Sequence, residues 1–182
     1  MRVISGQYKG FSISTKSSIQ IRPTTSRIKE WIFQIIGPYL PDSCFLDLFA
    51  GSGNLGIEAL SRGSKMAVFV DKHTGGLIRR NLNTLGPEEK TKVVKEDVIR
   101  CLKKHLSGKI RFSVIAADPP YEYDSFSSLL SALYQSQLLI PGGLFILESS
   151  RHSSLSLPEE FYSPYREKKF GETVVRIFQR GI

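Results

Sequence analysis

The chain has 182 residues, of which 41% are hydrophobic and 23% charged, so it corresponds to one globular domain and not to a disordered or low-complexity chain. Lys and Arg outnumber Asp and Glu by 25 to 17, a net charge of +8, which predicts a polyanionic partner. No apolar run reaches the roughly 18 residues that cross a membrane, and the first residues lack the apolar segment of a signal peptide. The two cysteines, Cys44 and Cys101, lack metal-ligand spacing. These features predict a cytoplasmic protein with no membrane segment.

The N-terminal 40 residues carry much of the positive charge, with six Lys and Arg residues against Glu30 alone. Short apolar runs at 2–5 and 10–14 flank a glycine-containing turn and predict a β-hairpin. A helix is predicted after Pro23 because apolar residues recur at helical spacing, at Ile28, Trp31, Ile32, Ile35 and Ile36. We therefore expect residues 1–40 to form a basic extension and residues 41–182 to form the core.

The rest of the chain alternates short apolar runs with helical patterns. Strands are predicted at 44–49, 66–70, 92–95, 112–117 and 143–147. Helices are predicted at 54–62, 74–85, 98–106 and 126–137. Strict alternation of this kind predicts a doubly wound α/β fold, and a closing hairpin at 166–170 and 173–179 completes a mostly parallel, seven-stranded sheet.

A glycine-rich turn follows the first predicted strand. Gly51, Gly53 and Gly56 match the G-x-G-x-x-G pattern of dinucleotide-binding proteins, and Asp71 lies 20 residues after Gly51. Asp47 is unusual because it falls within a strand that is otherwise apolar, where a charge needs a partner. A helix cap or an ion pair in the turn is one such partner. A cationic ligand is another, and S-adenosylmethionine carries an ammonium and a sulfonium, whereas nicotinamide cofactors have no cation near this turn.

Acidic residues also end the next two predicted strands. Asp71 suits the two hydroxyls of a ribose, and Asp97 suits the amino group of an adenine. Each has a structural alternative, because Asp71 can cap the helix that starts near Thr74 and Asp97 can cap the one that starts at Val98. Together with Asp47, these residues predict a nucleoside site at the carboxyl ends of the strands.

The fourth predicted strand runs into Asp118, Pro119, Pro120 and Tyr121. A plain turn is one interpretation, because two prolines interrupt both helix and strand. The alternative is an amine site. The Asp118 carboxylate and a backbone carbonyl held by the prolines would accept the two hydrogens of an exocyclic amine and stabilise the positive charge that develops as it attacks a methyl group. Tyr121 would then stack on the extruded base.

Two segments, 47–53 (DLFAGSG) and 118–121 (DPPY), resemble the class I S-adenosylmethionine-dependent amino-methyltransferases. The chain is similar over essentially its whole length to one family, the RsmD family of bacterial 16S rRNA guanine-N2 methyltransferases. The most discriminating segments are 49–63 (FAGSGNLGIEALSRG), 2–6 (RVISG) and 21–25 (IRPTT). Asn54 departs from the family pattern, which usually has a small residue after the second glycine.

The resemblance implies direct methyl transfer from S-adenosyl-L-methionine to the N2 amine of a flipped guanine in 16S rRNA, in a partly or fully assembled small subunit. It implies a monomer with no metal. The expected catalytic residues are Asp118, Pro119, Pro120 and Tyr121. The expected cofactor contacts are Asp47, Phe49, Gly51, Gly53, Asn54, Asp71, Lys72, Asp97 and Val98. RNA contacts are expected from Arg22, Thr24, Thr25, Arg2 and Lys9.

Three other functions remain open at this point. An amino-methyltransferase acting on adenine N6 or cytosine N4 in DNA or RNA would use the same motif, because the motif binds an amine and not a particular ring. A nicotinamide-dependent oxidoreductase would use the glycines and Asp71 but would leave Asp47 and Asp118 unexplained. A non-catalytic RNA-binding protein would account for the charge and not for the acidic strand ends.

Overall fold

The computed structural model describes residues 1–15, 26–86, 88–104, 110–153 and 162–181. The predicted RNA contacts Arg22, Thr24 and Thr25 lie outside these ranges, as does the end of the predicted helix 98–106. The helices are α1 (Ser26–Ile36), α2 (Asn54–Ser61), α3 (Gly75–Asn83), α4 (Val98–Lys104) and α5 (Phe126–Ser136), with 3₁₀ turns at Gly37–Tyr39 and Glu88–Lys90. The strands are β1 (Cys44–Leu48), β2 (Met66–Val70), β3 (Thr91–Val94), β4 (Phe112–Ala117), β5 (Leu139–Ser150), β6 (Tyr162–Phe170) and β7 (Thr173–Arg180).

Within the described ranges the seven strands form one sheet in the order β3-β2-β1-β4-β5-β7-β6. Strands β1 to β5 are parallel, and β7 runs antiparallel between β5 and β6. The prediction of a doubly wound, mostly parallel sheet is confirmed. The chain reverses its direction of winding between β1 and β4, which is where ligands bind in sheets of this kind.

Helices cover both faces of the sheet, and the alternation of side chains along β1 shows how. Phe45 packs into the layer beneath α1, α2 and α3. Leu46 and Leu48 pack into the opposite layer, beneath α4 and α5. Both faces are buried, which explains why the central strands are apolar at consecutive positions. None of the described helices has the length and hydrophobicity needed to cross a bilayer.

Strand β5 is longer than the predicted 143–147, because it extends from Leu139 to Ser150. Its register against β4 shifts between Phe112 and Val114, and such a bulge accommodates Pro141 and Gly142 within the strand. At its other end the polar residues up to Ser150 pair with β7. Hydrophobic alternation cannot detect this pairing, because these residues are held by the ladder and not by an apolar face.

The N-terminal hairpin is present but short. The Val3 amide donates to the Phe11 carbonyl at 2.9 Å, and one isolated antiparallel bridge joins Arg2 and Ser12, outside the seven-stranded sheet. Val3 and Ile13 are buried in the same cluster as the apolar face of α1 and as Phe45 of β1. The basic extension therefore shares the hydrophobic core of the sheet.

A buried carboxylate joins this extension to α2. Glu58 is fully buried and accepts hydrogen bonds from the backbone amides of Ile4 at 2.8 Å and Ser5 at 3.1 Å. It also pairs with Lys29 of α1 at 3.0 Å and with Arg62 at 2.8 Å. Burial opposes ionisation, but the Ile4 amide and the two cations outweigh it, and the pKa of Glu58 is lowered. Glu58 is thus a charged junction between three segments.

Lys29 is the cationic half of the junction and is 2% exposed. Its ammonium donates to the Arg2 carbonyl at 2.7 Å and to the Asn54 side-chain oxygen at 2.9 Å. Burial lowers the pKa of Lys29, and the neighbouring Glu58 carboxylate opposes this change. Asn54, the departure from the family pattern, is therefore a hydrogen-bond partner of the buried lysine.

We expect Glu58→Gln to lower the free energy of unfolding by about 3–5 kcal/mol, because it leaves Lys29 buried without its counter-ion. The control Glu167→Gln removes a half-exposed carboxylate that is 2.8 Å from Arg176, and should cost about 0–1 kcal/mol. Urea unfolding measures both. Since the folded-state pKa of Glu58 is lowered, its contribution should be lost as the pH falls below the usual glutamate range of about 4.3. Equal losses of unfolding free energy in the two variants would show that Glu58 does not hold the three segments together.

Candidate functional site

The turn after β1 is held by left-handed backbone. Phe49 has φ of 59°, Gly51 of 56° and Gly53 of 82°. Gly53 is also the N-cap of α2, and its amide donates to the Ala50 carbonyl at 2.7 Å. Glycine adopts this conformation without strain, whereas Phe49 adopts it at a cost. These residues therefore form a tight turn at the carboxyl end of β1.

The third glycine of the pattern serves helix packing. A Cβ atom on Gly56 would lie 2.3 Å from Cε1 of Phe69, so α2 packs directly on β2. Gly51 differs, since a Cβ atom there would meet only the Phe49 carbonyl, at 3.9 Å. Gly51 thus borders open space at the end of the sheet, where a ligand can approach the backbone closely.

Asp47 is 2% exposed, and one of its oxygens accepts a hydrogen bond from the Gly56 amide at 2.8 Å. Burial raises the pKa of its carboxyl well above the usual range, the Gly56 amide opposes this, and the negative charges of Asp118 and Asp71 raise it further. Within the described ranges Asp47 forms no ion pair. The helix-cap alternative is therefore realised in part, by one backbone amide, and the site remains suited to a cation.

Asp71 follows β2 and organises the backbone around it. One oxygen accepts hydrogen bonds from the His73 and Thr74 amides, each at 2.8 Å, and the other accepts from the Gly51 amide at 3.0 Å. The alternative in which Asp71 caps α3 is not observed, because Thr74 is the N-cap of that helix and the two amides that bond Asp71 Oδ1 precede its first residue, Gly75. A carboxylate offers about four acceptor positions, so the same group retains capacity for a ribose hydroxyl while it ties the second strand end to the glycine turn.

Asp97 is exposed and accepts a hydrogen bond from the Arg100 amide at 3.1 Å, so it caps α4 as the structural alternative predicts. Val98, the next residue, is buried in the apolar layer beneath α4 and α5. Lys72 is exposed beside Asp71 at the end of β2. All three stand at the edge of the sheet that carries the glycine turn.

The Asp118–Tyr121 segment lies next to this turn. Leu48 of β1 pairs with Ala117 of β4, and the Asp118 amide donates to the Leu48 carbonyl at 3.4 Å. The segment closes as a turn, in which the Tyr123 amide donates to the Pro120 carbonyl at 2.9 Å. Pro119 is buried, Asp118 is half-buried and Pro120 is exposed. Asp118 therefore lies at the carboxyl end of β4, beside β1, where the chain reverses its direction of winding.

Tyr121, which ends this segment, and Tyr123, which follows it, differ in environment. Tyr121 is 60% exposed, and its hydroxyl is 3.4 Å from the Ser150 hydroxyl at the end of β5. Tyr123 packs edge-on against Phe49 at 5.1 Å between ring centroids, and burial raises its pKa to about 12. Tyr123 is not identifiable from the sequence, because nothing in the order of residues indicates that it contacts the glycine turn.

The predicted RNA contacts that fall within the described ranges, Arg2 and Lys9, are both exposed on the N-terminal hairpin. The hairpin is attached to α3 through Ser14. The Ser14 amide donates to Oδ1 of Asn81 and the Ser14 carbonyl accepts from Nδ2 of Asn81, each at 3.0 Å. Asn81 also donates to the Ser52 carbonyl of the glycine turn at 2.9 Å. The basic extension is thereby connected to the turn through α3.

The chain is similar to known proteins over essentially its whole length. A family model described as conserved hypothetical protein 95 matches residues 1–179. YlbH of Bacillus subtilis is 37% identical over 182 residues, which cover 99% of each chain. Ribosomal RNA small subunit methyltransferase D of Haemophilus influenzae is 33% identical, over 98% of this chain and 93% of the relative. The solved structure of yhhF from Escherichia coli superposes with a TM-score of 0.87 at 29% identity and covers 100% of this chain and 98% of that one. The chain belongs to the RsmD family, that of the ribosomal RNA small subunit methyltransferases D.

Proposed function

We propose that this protein transfers a methyl group from S-adenosylmethionine to the exocyclic N2 amine of one guanine in 16S rRNA. The observation that carries the proposal is the position of Asp118–Tyr121 at the carboxyl end of β4, against the glycine turn that follows β1. Methylation of rRNA is supported by relatives named for that activity over nearly the whole chain. The guanine and its N2 position rest on the residues that resemble the family.

The residues at the glycine turn fit S-adenosylmethionine, which supplies an electrophilic methyl group on a sulfonium. Asp47 is buried with a single backbone donor and no cationic partner in the described ranges, and a ligand cation would restore its ionised state. Gly51 leaves space for close approach of the ligand. Asp71 and Asp97 follow the next two strands with acceptor oxygens for a ribose and for an adenine amine. A nicotinamide cofactor would leave the Asp47 charge uncompensated.

The amine is held by two acceptors. The Pro120 carbonyl is already bonded to the Tyr123 amide at 2.9 Å, so the Pro119 carbonyl and the Asp118 carboxylate are the pair that accepts the two amine hydrogens. Both prolines lack amide hydrogens and have a fixed φ, which keeps these acceptors in place. As the amine nitrogen attacks the methyl group, positive charge develops on it, and the Asp118 carboxylate stabilises that charge and takes up the proton.

The target base is stacked by Tyr121. Its ring is exposed in the free protein, so a flat aromatic surface is available for a base to stack on. A guanine inside an rRNA duplex cannot bring its N2 amine to the half-buried carboxylate of Asp118, so the base must leave the stack. The exposed ring beside Asp118 provides the surface on which an extruded base would rest.

The substrate is small-subunit rRNA, bound by a monomer in the cytoplasm where subunits are assembled. The net charge of +8 and the exposed Arg2 and Lys9 suit phosphate contacts, which position an RNA without reading its sequence. Arg22, Thr24 and Thr25 are proposed to contact the base or the RNA near the cofactor, on the resemblance alone. Selection of one guanine then depends largely on the shape in which the subunit presents it.

Asp47→Asn should weaken S-adenosylmethionine binding by about 10–100-fold, because it removes a buried counter-charge while keeping the acceptor for the Gly56 amide. The same variant should be more stable than the wild type without ligand. Because the folded-state pKa of Asp47 is raised, the stability of the wild type should fall as the pH rises from the usual aspartate value of about 3.9 toward that higher pKa, and the variant should lack this fall. Calorimetry measures affinity and thermal unfolding measures stability. Unchanged affinity would remove Asp47 from the cofactor site.

Asp118→Asn should lower the single-turnover rate by about 10²–10³-fold, because the neutral amide stabilises developing positive charge poorly. Cofactor affinity should change little. Asp124→Asn is the matched control, since Asp124 is an exposed carboxylate in the same loop that accepts a hydrogen bond from Ser125 at 2.8 Å. Rapid-quench measurement of methyl transfer checks both. A rate near that of the wild type for Asp118→Asn would show that its charge is not used.

The reaction itself is tested with small subunits from cells that lack the enzyme. Purified protein and labelled S-adenosylmethionine should produce N2-methylguanosine at one position of 16S rRNA, identified by mass spectrometry of nucleosides and fragments. Protein-free 16S rRNA serves as the comparison substrate. Label on adenine or cytosine would replace guanine as the target, and absence of label in the presence of bound cofactor would contradict methyltransfer to rRNA.

A further inference from the structure

We propose that Arg79 and Lys95 form a second phosphate-binding surface for the RNA substrate. The two residues lie beside β3, near the carboxyl ends of β2 and β3, on the edge of the sheet that carries the proposed active site. The inference rests on the proposed function, because it assigns the polyanion to rRNA. It concerns a part of the chain that lies outside the basic N-terminal extension and outside the residues expected to contact the cofactor.

The two side chains meet at the first turn of α3. A Cβ atom on Gly75 would lie 3.3 Å from the Lys95 Cβ and 3.6 Å from Nη1 of Arg79. Nη2 of Arg79 donates to the Val93 carbonyl of β3 at 3.2 Å, which orients the guanidinium. Lys95 follows the last residue of β3. The Arg79 guanidinium and the base of the Lys95 side chain thus both border Gly75, and both residues are exposed.

This pair lies on the same edge of the sheet as the proposed active site. Lys95 follows Val94, whose carbonyl accepts the Asp71 amide at 3.1 Å. Asp71 in turn accepts the Gly51 amide of the glycine turn at 3.0 Å. The cations therefore stand beyond the proposed cofactor contacts, at the open rim and not at the amino ends of the strands.

Neither cation is neutralised in the described part of the chain. Arg151 and Arg176 pair with Glu172 and Glu167, at 2.9 Å and 2.8 Å. The acidic residues that follow Lys95 are otherwise engaged, since Glu96 approaches Arg100 at 3.9 Å and Asp97 caps α4. Lysines on an edge strand often serve only to prevent strand pairing. That role does not explain Lys95, which lies beyond the last residue of β3, or an arginine oriented on α3.

The position of α3 connects this surface with the basic N-terminal extension. Asn81 of the same helix bonds Ser14 of the extension and Ser52 of the glycine turn. An RNA strand whose base enters the site carries phosphates on both sides of that base, so contacts are needed on more than one side of the entrance. The extension supplies one set of cations, and Arg79 with Lys95 supplies another.

The test compares two double variants that remove equal charge. Arg79→Gln with Lys95→Gln removes the proposed surface. Arg80→Gln with Lys90→Gln is the control, since Arg80 is the next residue of α3 and Lys90 precedes β3 at the opposite edge of the sheet; both are exposed. Binding of protein-free 16S rRNA and of small subunits is measured between 50 and 200 mM salt. Thermal unfolding and cofactor affinity, which should match the wild type, show that each variant is folded.

We expect the first variant to lose about 1.4–1.8 from the slope of log affinity against log salt, on both substrates, because two phosphate contacts are removed at about 0.7–0.9 each. The control should keep the wild-type slope. A wild-type slope for the first variant, or an equal loss in the control, would overturn the surface. A loss on small subunits but not on protein-free rRNA would assign the cations to a ribosomal protein and would also overturn it.

The outcome is separable from that of the proposed function. If the wild type binds rRNA with the expected salt dependence but methylates no guanine, the proposed reaction fails while the comparison of slopes still decides the surface. If guanine is methylated and the slopes do not differ, the reaction stands and the surface is wrong.

Discussion

The ionised carboxylate of Glu58, buried at the centre of α2, holds together three segments that lie far apart in the sequence. Its backbone donors, Ile4 and Ser5, are 54 and 53 residues away, and its cation, Lys29, is 29 residues away along the chain. A buried charge tolerates no loss of partners, so the hairpin, α1 and α2 must adopt one arrangement. Because α2 begins at the glycine turn, that arrangement also sets where the N-terminal extension stands relative to the site.

The proposed site contains a buried acid, Asp47, whose charge is not compensated as that of Glu58 is. Glu58 is compensated by two cations and its pKa is lowered, whereas Asp47 has one amide donor, carboxylate neighbours and a raised pKa. Both are acids on or beside the same helix, so the difference lies in their partners. A fold selected for stability alone would neutralise Asp47 or replace it. An uncompensated carboxylate next to an open glycine turn is what the proposed site for a cationic ligand requires.

The sequence could predict the order of strands and helices and the edge at which chemistry is placed, because apolar periodicity and strand ends are local signals. Asp47, Asp71, Asp97 and Asp118 could be assigned to one edge for the same reason. Capping was an open alternative for Asp71 and Asp97, since a carboxylate after a strand fits both roles, and the structure shows it for Asp97 alone. Contacts made across the fold were not predictable. Tyr123 meets Phe49, and Glu58 meets Ile4, only because of how the elements pack.

The distribution of charge along the chain predicts a basic surface in residues 1–40 only. It does not indicate Arg79 and Lys95, which become neighbours only when β3 lies beside α3. Their position answers a conflict within the site. The acids that are proposed to hold a sulfonium and an amine would repel the phosphates of the RNA strand that carries the target base. Screening limits such forces to about 8 Å at physiological salt, so cations on the far side of the protein cannot offset that repulsion. An enzyme of this kind needs uncompensated cations on the rim of its own acidic edge, and a net charge of +8 matters less than the few cations that stand there.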